Sequence, residues 1–119
     1  MVRSNMKGLS VRFFKNESGK EPVRDWLLEL SKEDKKIIGA DIKTIEFGWP
    51  VGMPVCRPLK DGLYEVRSHL SSNKIARIIF ALHRNEMILL HAFFKKTQKT
   101  LDVDLDLAKK RLRKLKNAK

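Results

Sequence analysis

Three runs rich in β-branched and aromatic residues limit what this chain can fold into more than any other feature. They are Gly62-Leu-Tyr-Glu-Val-Arg-Ser-His-Leu70, Lys74-Ile-Ala-Arg-Ile-Ile-Phe-Ala-Leu82 and Met87-Ile-Leu-Leu-His-Ala-Phe-Phe-Lys-Lys-Thr-Gln-Lys-Thr100. They lie close together, and only the chain end after them has a helical pattern, so they predict consecutive antiparallel strands. Each run carries cations, and between Gly62 and Thr100 seven Lys or Arg face only Glu65 and Glu86. Such an arrangement suits a polyanion.

The charge of the whole chain points the same way. Over 119 residues there are 26 basic and 14 acidic side chains, a net charge of +12. The excess is uneven: 12 against 9 before Gly62, seven against two through Thr100, and seven against three after it. A positive field of this kind attracts RNA, DNA, an acidic protein or an anionic membrane. At this length one domain is expected, with a core large enough to need no staples. No apolar run approaches the roughly 18 residues of a membrane span, and Met1-Val-Arg-Ser-Asn-Met-Lys7 leads into no apolar signal segment. A single cysteine, Cys56, excludes an internal disulfide, and a reducing cytoplasm is the compartment expected.

Ahead of the three runs, Leu9-Ser-Val-Arg-Phe-Phe-Lys15 reads as a first strand that ends in the turn Asn16-Glu-Ser-Gly19. Pro22 suits a first helical turn, and Val23, Trp26, Leu27 and Leu30 fall on one face. Ser31 followed by Asp34 resembles a capping box, and Ile38, Ile42 and Ile45 continue at helical spacing up to Gly48. A helical hairpin over about residues 21–47 follows. The Trp49–Pro54 segment is a connector, and Cys56-Arg-Pro-Leu-Lys60 leads through the Asp61-Gly62 turn into the strands, with Arg57 and Lys60 flanking the sheet edge. His83-Arg-Asn-Glu86 makes a tight hairpin but lacks an Asn-Gly pair, so register stays open, and with it whether His91 shares a face with Arg77. After Thr100, Leu101, Leu105, Ala108, Leu112 and Leu115 predict a terminal helix with acids first and bases last, in accord with its dipole.

Gly62-Leu-Tyr-Glu-Val-Arg67, a following strand carrying Arg77, and Leu90-His-Ala-Phe-Phe-Lys-Lys-Thr-Gln-Lys-Thr100 together resemble the RelE/HigB superfamily of toxins. The likeness is to its phage-related HigB-like branch, and it runs over nearly the whole chain. It implies an α+β RelE-like fold: an N-terminal strand, a helical hairpin, an antiparallel sheet of about four strands and a C-terminal helix. It also implies a ribosome-dependent mRNA endonuclease, held inactive by a helix-turn-helix, HigA-like antitoxin. On that likeness Arg67 matches the arginine that ends the Gly-Leu-Tyr-Glu-Leu-Arg motif, Lys95 and Lys96 match the Lys-Lys pair, and Arg77 matches the arginine of the next strand. Leu101 stands where a proline often follows, and the Arg and Tyr pair of the RelE branch is missing.

The residues can supply the chemistry this implies. RNA cleavage by its own 2′-OH needs a proton removed, charge stabilised on the phosphorane and the 5′-oxygen protonated, with no metal and no cofactor required. Arg67 is a permanent, forked cation suited to the scissile phosphate and unable to act as a base. Lys95, Lys96 and His91 are the candidates for proton transfer, since neighbouring cations depress a lysine's pKa and imidazole titrates near neutrality. Strand alternation allows only one of Lys95 and Lys96 to enter the site. Arg57, Lys60, Lys74, Arg77 and Lys99 are the expected RNA contacts. Tyr64, Phe80, Phe93 and Phe94 are expected in the core. The histidines and Cys56 have no metal-ligand spacing. A non-catalytic RNA- or ribosome-binding protein would need the same cations without a proton carrier. A DNA-binding regulator fits less well, because no helix-turn-helix pattern is present.

Overall fold

A computed structural model of the protein describes residues 8–50, 52, 55–95, 100 and 102–117. Strand β1 (Ser10–Phe13) leads through the Asn16 turn into helix α1 (Pro22–Leu28), where proline occupies the first turn as its fixed φ and missing N–H favour. Helix α2 (Lys32–Gly48) begins at Ser31, whose Oγ accepts the Asp34 N–H at 3.1 Å. The Asp34 carboxylate serves another purpose. It accepts the Ser71 N–H at 2.9 Å, the Ser71 hydroxyl at 2.7 Å and the Ser72 hydroxyl at 3.3 Å, clasping the start of α2 to a distant turn.

Strands β2 (Cys56–Pro58), β3 (Leu63–His69), β4 (Ile75–His83) and β5 (Glu86–Phe94) precede helix α3 (Asp102–Asn117). The sheet runs β1-β5-β4-β3-β2, antiparallel except for β1, which lies parallel to β5. The α+β, RelE-like layout is therefore present, with two differences from the sequence reading. The short lead-in at Cys56 pairs with β3 as a fifth strand, and the N-terminal strand adds a parallel edge. Two of the three hairpins turn on two residues of positive φ, Asp61 (60°) with Gly62 (78°) and Arg84 (53°) with Asn85 (63°), the type I′ pattern that matches strand twist, while the β3–β4 turn carries one, Asn73 (67°). The tight hairpin expected at His83–Glu86 is present, and Arg84 shows why its turn type stayed open, since a long side chain rarely adopts that conformation.

The two sheet faces carry different loads. One packs Leu9, Val66, Ile78, Phe80, Met87 and Leu89 against Val23, Ile38, Ile42 and Ile45 of α1 and α2. The apolar spacing anticipated this layer, and Tyr64, Phe80 and Phe94 belong to it. The other face packs Leu63, Ile79, Ala81, Ile88 and Leu90 under Ala108 and Leu112 of α3. Helix α3 covers only part of that face, and the chemistry gathers at its N-terminal end. Among the described residues no helix is long and apolar enough to cross a membrane.

Candidate functional site

Register decides which cations meet. Arg57 of β2 pairs with Glu65 of β3, and Arg67 of β3 pairs with Arg77 of β4. Directly opposed residues share a face, so three arginines from three adjacent strands stand around one carboxylate on the α3 face. Arg57 and Arg67 are half-buried, whereas Arg77 is 1% exposed and Glu65 is fully enclosed. Arg77 thus lies beneath the surface, in a supporting position and not as an outer contact.

A buried hydroxyl joins the two enclosed charges. Thr100 Oγ1 donates to Glu65 Oε2 at 2.6 Å and accepts from Arg77 Nη1 at 3.2 Å; the direct Arg77–Glu65 separation is 3.7 Å. Burial lowers the Arg77 guanidinium below its ordinary value, Glu65 opposes that, Arg67 and Arg57 add to it, and Asp104 opposes it again. Glu65 and Arg67, two residues apart on β3, share a face and could pair along the strand. Glu65 is engaged with Thr100 instead, and Arg67 Nε and Glu65 Oε1 are buried without a hydrogen-bond partner among the described residues.

His91 reaches this face because of a β-bulge. Between β4 and β5, Phe80 pairs with Leu89 but Ile79 pairs with His91, so one extra residue is accommodated on β5. Strict alternation from the turn would have sent His91 toward α1 and α2. The bulge instead puts Leu90 and His91 on the α3 side, and the question left open by the sequence is resolved: His91 and Arg77 share a face. Arg111 of α3 supports the bulge, its Nη1 donating to the Leu90 carbonyl at 2.7 Å while the guanidinium lies 5.8 Å from the Phe14 ring centre.

His91 is also held from two sides. Its Nε2 lies 2.7 Å from Asp104 Oδ1, and its ring stacks on Phe93 at 5.1 Å and 23°. A carboxylate can only accept, so Nε2 is the donor in this pair. Phe93 pairs with Arg77, and of the four aromatics expected in the core it is the one that packs on the α3 face. Acidic residues in the first turn of α3 favour its dipole, and Asp104 also orients an imidazole.

The remaining candidates spread out. The Lys95 N–H donates to the Ile75 carbonyl at 2.7 Å, carrying the β4–β5 register one step beyond Phe94. Lys95 lies just past the strand end, beside Asn73, Lys74, Ile75 and Phe94. Lys96 and Lys99 lie outside the described residues. Lys74 sits over the Phe94 ring, 4.8 Å from its centre, and Phe94 belongs to the layer under α1 and α2. Lys60 is exposed beside the β2–β3 turn, where Lys109 of α3 bonds Asp61 at 3.0 Å and is shifted up by that partner. His69 is exposed and His83 half-buried at strand ends, and burial raises the thiol of Cys56. Among the described residues no group of three or more His, Cys, Asp or Glu side chains could hold a metal ion.

Sequence reasoning missed Thr100, Asp104 and Arg111. Thr100 and Asp104 lie next to identified motifs, but each gains its role only through partners 10 or more residues away: 35 for Thr100 with Glu65, 13 for Asp104 with His91 and 21 for Arg111 with Leu90. No local pattern announces such pairs.

No curated protein matches the chain. Residues 25–113 match the family described as "Phage derived protein Gp49-like (DUF891)", a span running from α1 into α3 and including all four residues Arg57, Arg67, Arg77 and His91. The chain belongs to the phage-derived Gp49-like family.

Proposed function

We propose that the protein is the toxin of a type II toxin–antitoxin system, a metal-independent endoribonuclease that cuts mRNA on the ribosome and so stops translation. The observation that carries this reading is the convergence of Arg57, Arg67 and Arg77 with the His91–Asp104 pair on one sheet face. Membership of the Gp49-like family and the RelE-like layout agree with it.

In this reading Arg67 grips the scissile phosphate and stabilises the charge that builds on its oxygens, with Arg57 beside it. Arg77, its charge met by Glu65, braces the strands beneath Arg67 from an enclosed position. Nδ1 of His91, held in place by Asp104 and Phe93, exchanges a proton with the 2′-OH or the leaving 5′-oxygen. Lys95 and Lys96 complete the cationic rim and serve the opposite proton step. A cognate HigA-like antitoxin holds the toxin inactive, and the cytoplasm is its place of action.

A direct test is to add the protein to ribosomes programmed with mRNA and map new 5′ ends. The reading predicts cuts in ribosome-bound message and growth arrest when the chain is induced alone in bacteria. Intact message together with normal growth would contradict it.

A further inference from the structure

Glu65 has three guanidinium groups within reach. Arg57 is opposite it on β2, Arg67 is two residues along β3, and Arg77 is diagonal to it on β4. Whichever arginine takes up the carboxylate's charge is lost as a binding cation, so the choice sets how strongly the face holds phosphate.

Thr100 stands between Glu65 and one of the three. Its hydroxyl donates to Glu65 Oε2 at 2.6 Å and accepts from Arg77 Nη1 at 3.2 Å, with all three side chains buried. Of the neutral groups, a hydroxyl is well suited to donate to a carboxylate and accept from a guanidinium through one atom. The carboxylate is thereby coupled to the arginine that is already enclosed. Arg67 Nε, also buried, has no hydrogen-bond partner among the described residues, and neither has Glu65 Oε1. These two groups on one face of β3 would combine if Glu65 were released.

We propose that Thr100 is a positioning residue which commits Glu65 to Arg77 and so keeps the charge of Arg67 available to RNA phosphate. The inference rests on the reading of this face as a phosphate-binding surface. It adds the element that sets the affinity of that surface, a threonine outside all three arginine-bearing strands.

Thr100→Val keeps the shape and removes the hydroxyl, Thr100→Ser keeps the hydroxyl, and Thr100→Val combined with Glu65→Gln removes the charge that would capture Arg67. Affinity of the full chain for a short single-stranded oligoribonucleotide is measured across a salt series. Each phosphate contact on a single strand contributes about 0.7 to the slope of log K against log salt. Thr100→Val is expected to bind about tenfold more weakly at low salt, with a slope shallower by about one contact. Thr100→Ser and the double variant are expected to keep the wild-type slope. In nitrogen-15 NMR spectra the Arg67 Nε–H resonance should move in Thr100→Val and stay in place in Thr100→Ser. A folded variant that has merely lost stability changes neither readout. An unchanged slope and an unmoved Arg67 resonance in Thr100→Val would overturn the inference, as would equal losses in Thr100→Ser. If the wild type does not bind the oligonucleotide, the phosphate-surface reading fails, and the Arg67 resonance alone then decides whether Thr100 controls the Glu65 partner.

Discussion

Arg67 and Arg77 stand directly opposite each other on β3 and β4, two like charges at a position where cross-strand neighbours repel. The fold tolerates the pair because Arg77 is sunk beside Glu65 and Thr100 while Arg67 remains at the half-buried level. A contact that opposes folding is retained where the arrangement concentrates positive charge.

The buried pair beneath it should be sensitive to loss of one member. Arg77→Ala leaves Glu65 enclosed without its nearest buried cation, and the expected loss is about 3–5 kcal/mol by urea unfolding. Arg77→Met together with Glu65→Leu should recover most of that loss, because no buried charge is then left uncompensated. Equal destabilisation in the single and double variants would count against the pairing.

The bulge should depend on Arg111. Arg111→Met removes the guanidinium donor to the Leu90 carbonyl while keeping much of the packing, and a loss of about 1–3 kcal/mol is expected. Thermal and urea unfolding of the variant measure it. A wild-type unfolding midpoint would show that the Leu90 carbonyl is satisfied without Arg111.

Much of the architecture could be read from residue spacing, and the reasons differ by element. Val23, Ile38, Ile42 and Ile45 sit at helical spacing and all become buried, and the β-branched runs became β3, β4 and β5. Arg57, Arg67 and Arg77 could be picked out as cations, but their convergence on one face depends on pairings between strands. His91 marks the limit most clearly. Its face is set by one extra residue on β5, and a bulge leaves no mark in an alternation pattern. The lead-in at Cys56 was too short to announce a strand.

The clasp at Asp34 makes stability depend on acid. Hydrogen bonds from Ser71, with Ser72 and Ser31 adding to them and burial opposing, hold this carboxyl below its ordinary value of 3.8. A depressed carboxyl contributes stability that is fully present above 3.8 and is lost as pH falls through the lower folded value. Urea midpoints should therefore fall below pH 4, and Asp34→Asn should flatten that part of the profile. A profile of unchanged steepness in Asp34→Asn would assign the acid sensitivity to other carboxyls.

If His91 transfers a proton, His91→Ala should slow cleavage by about 10²-fold or more with little change in RNA affinity. Asp104→Asn keeps the shape but turns the acceptor into an amide, and it should reduce the rate in the same direction through loss of imidazole orientation. Single-turnover cleavage measures both. Full activity in His91→Ala would move the proton-transfer role to the lysines.

The most direct test compares wild-type protein with Arg67→Ala in single-turnover cleavage of mRNA bound to programmed ribosomes. The account predicts site-specific cutting by the wild type and a loss of about 10²- to 10³-fold in the variant, since a donor aimed at the developing charge is removed. Cutting by Arg67→Ala at the wild-type rate would contradict it.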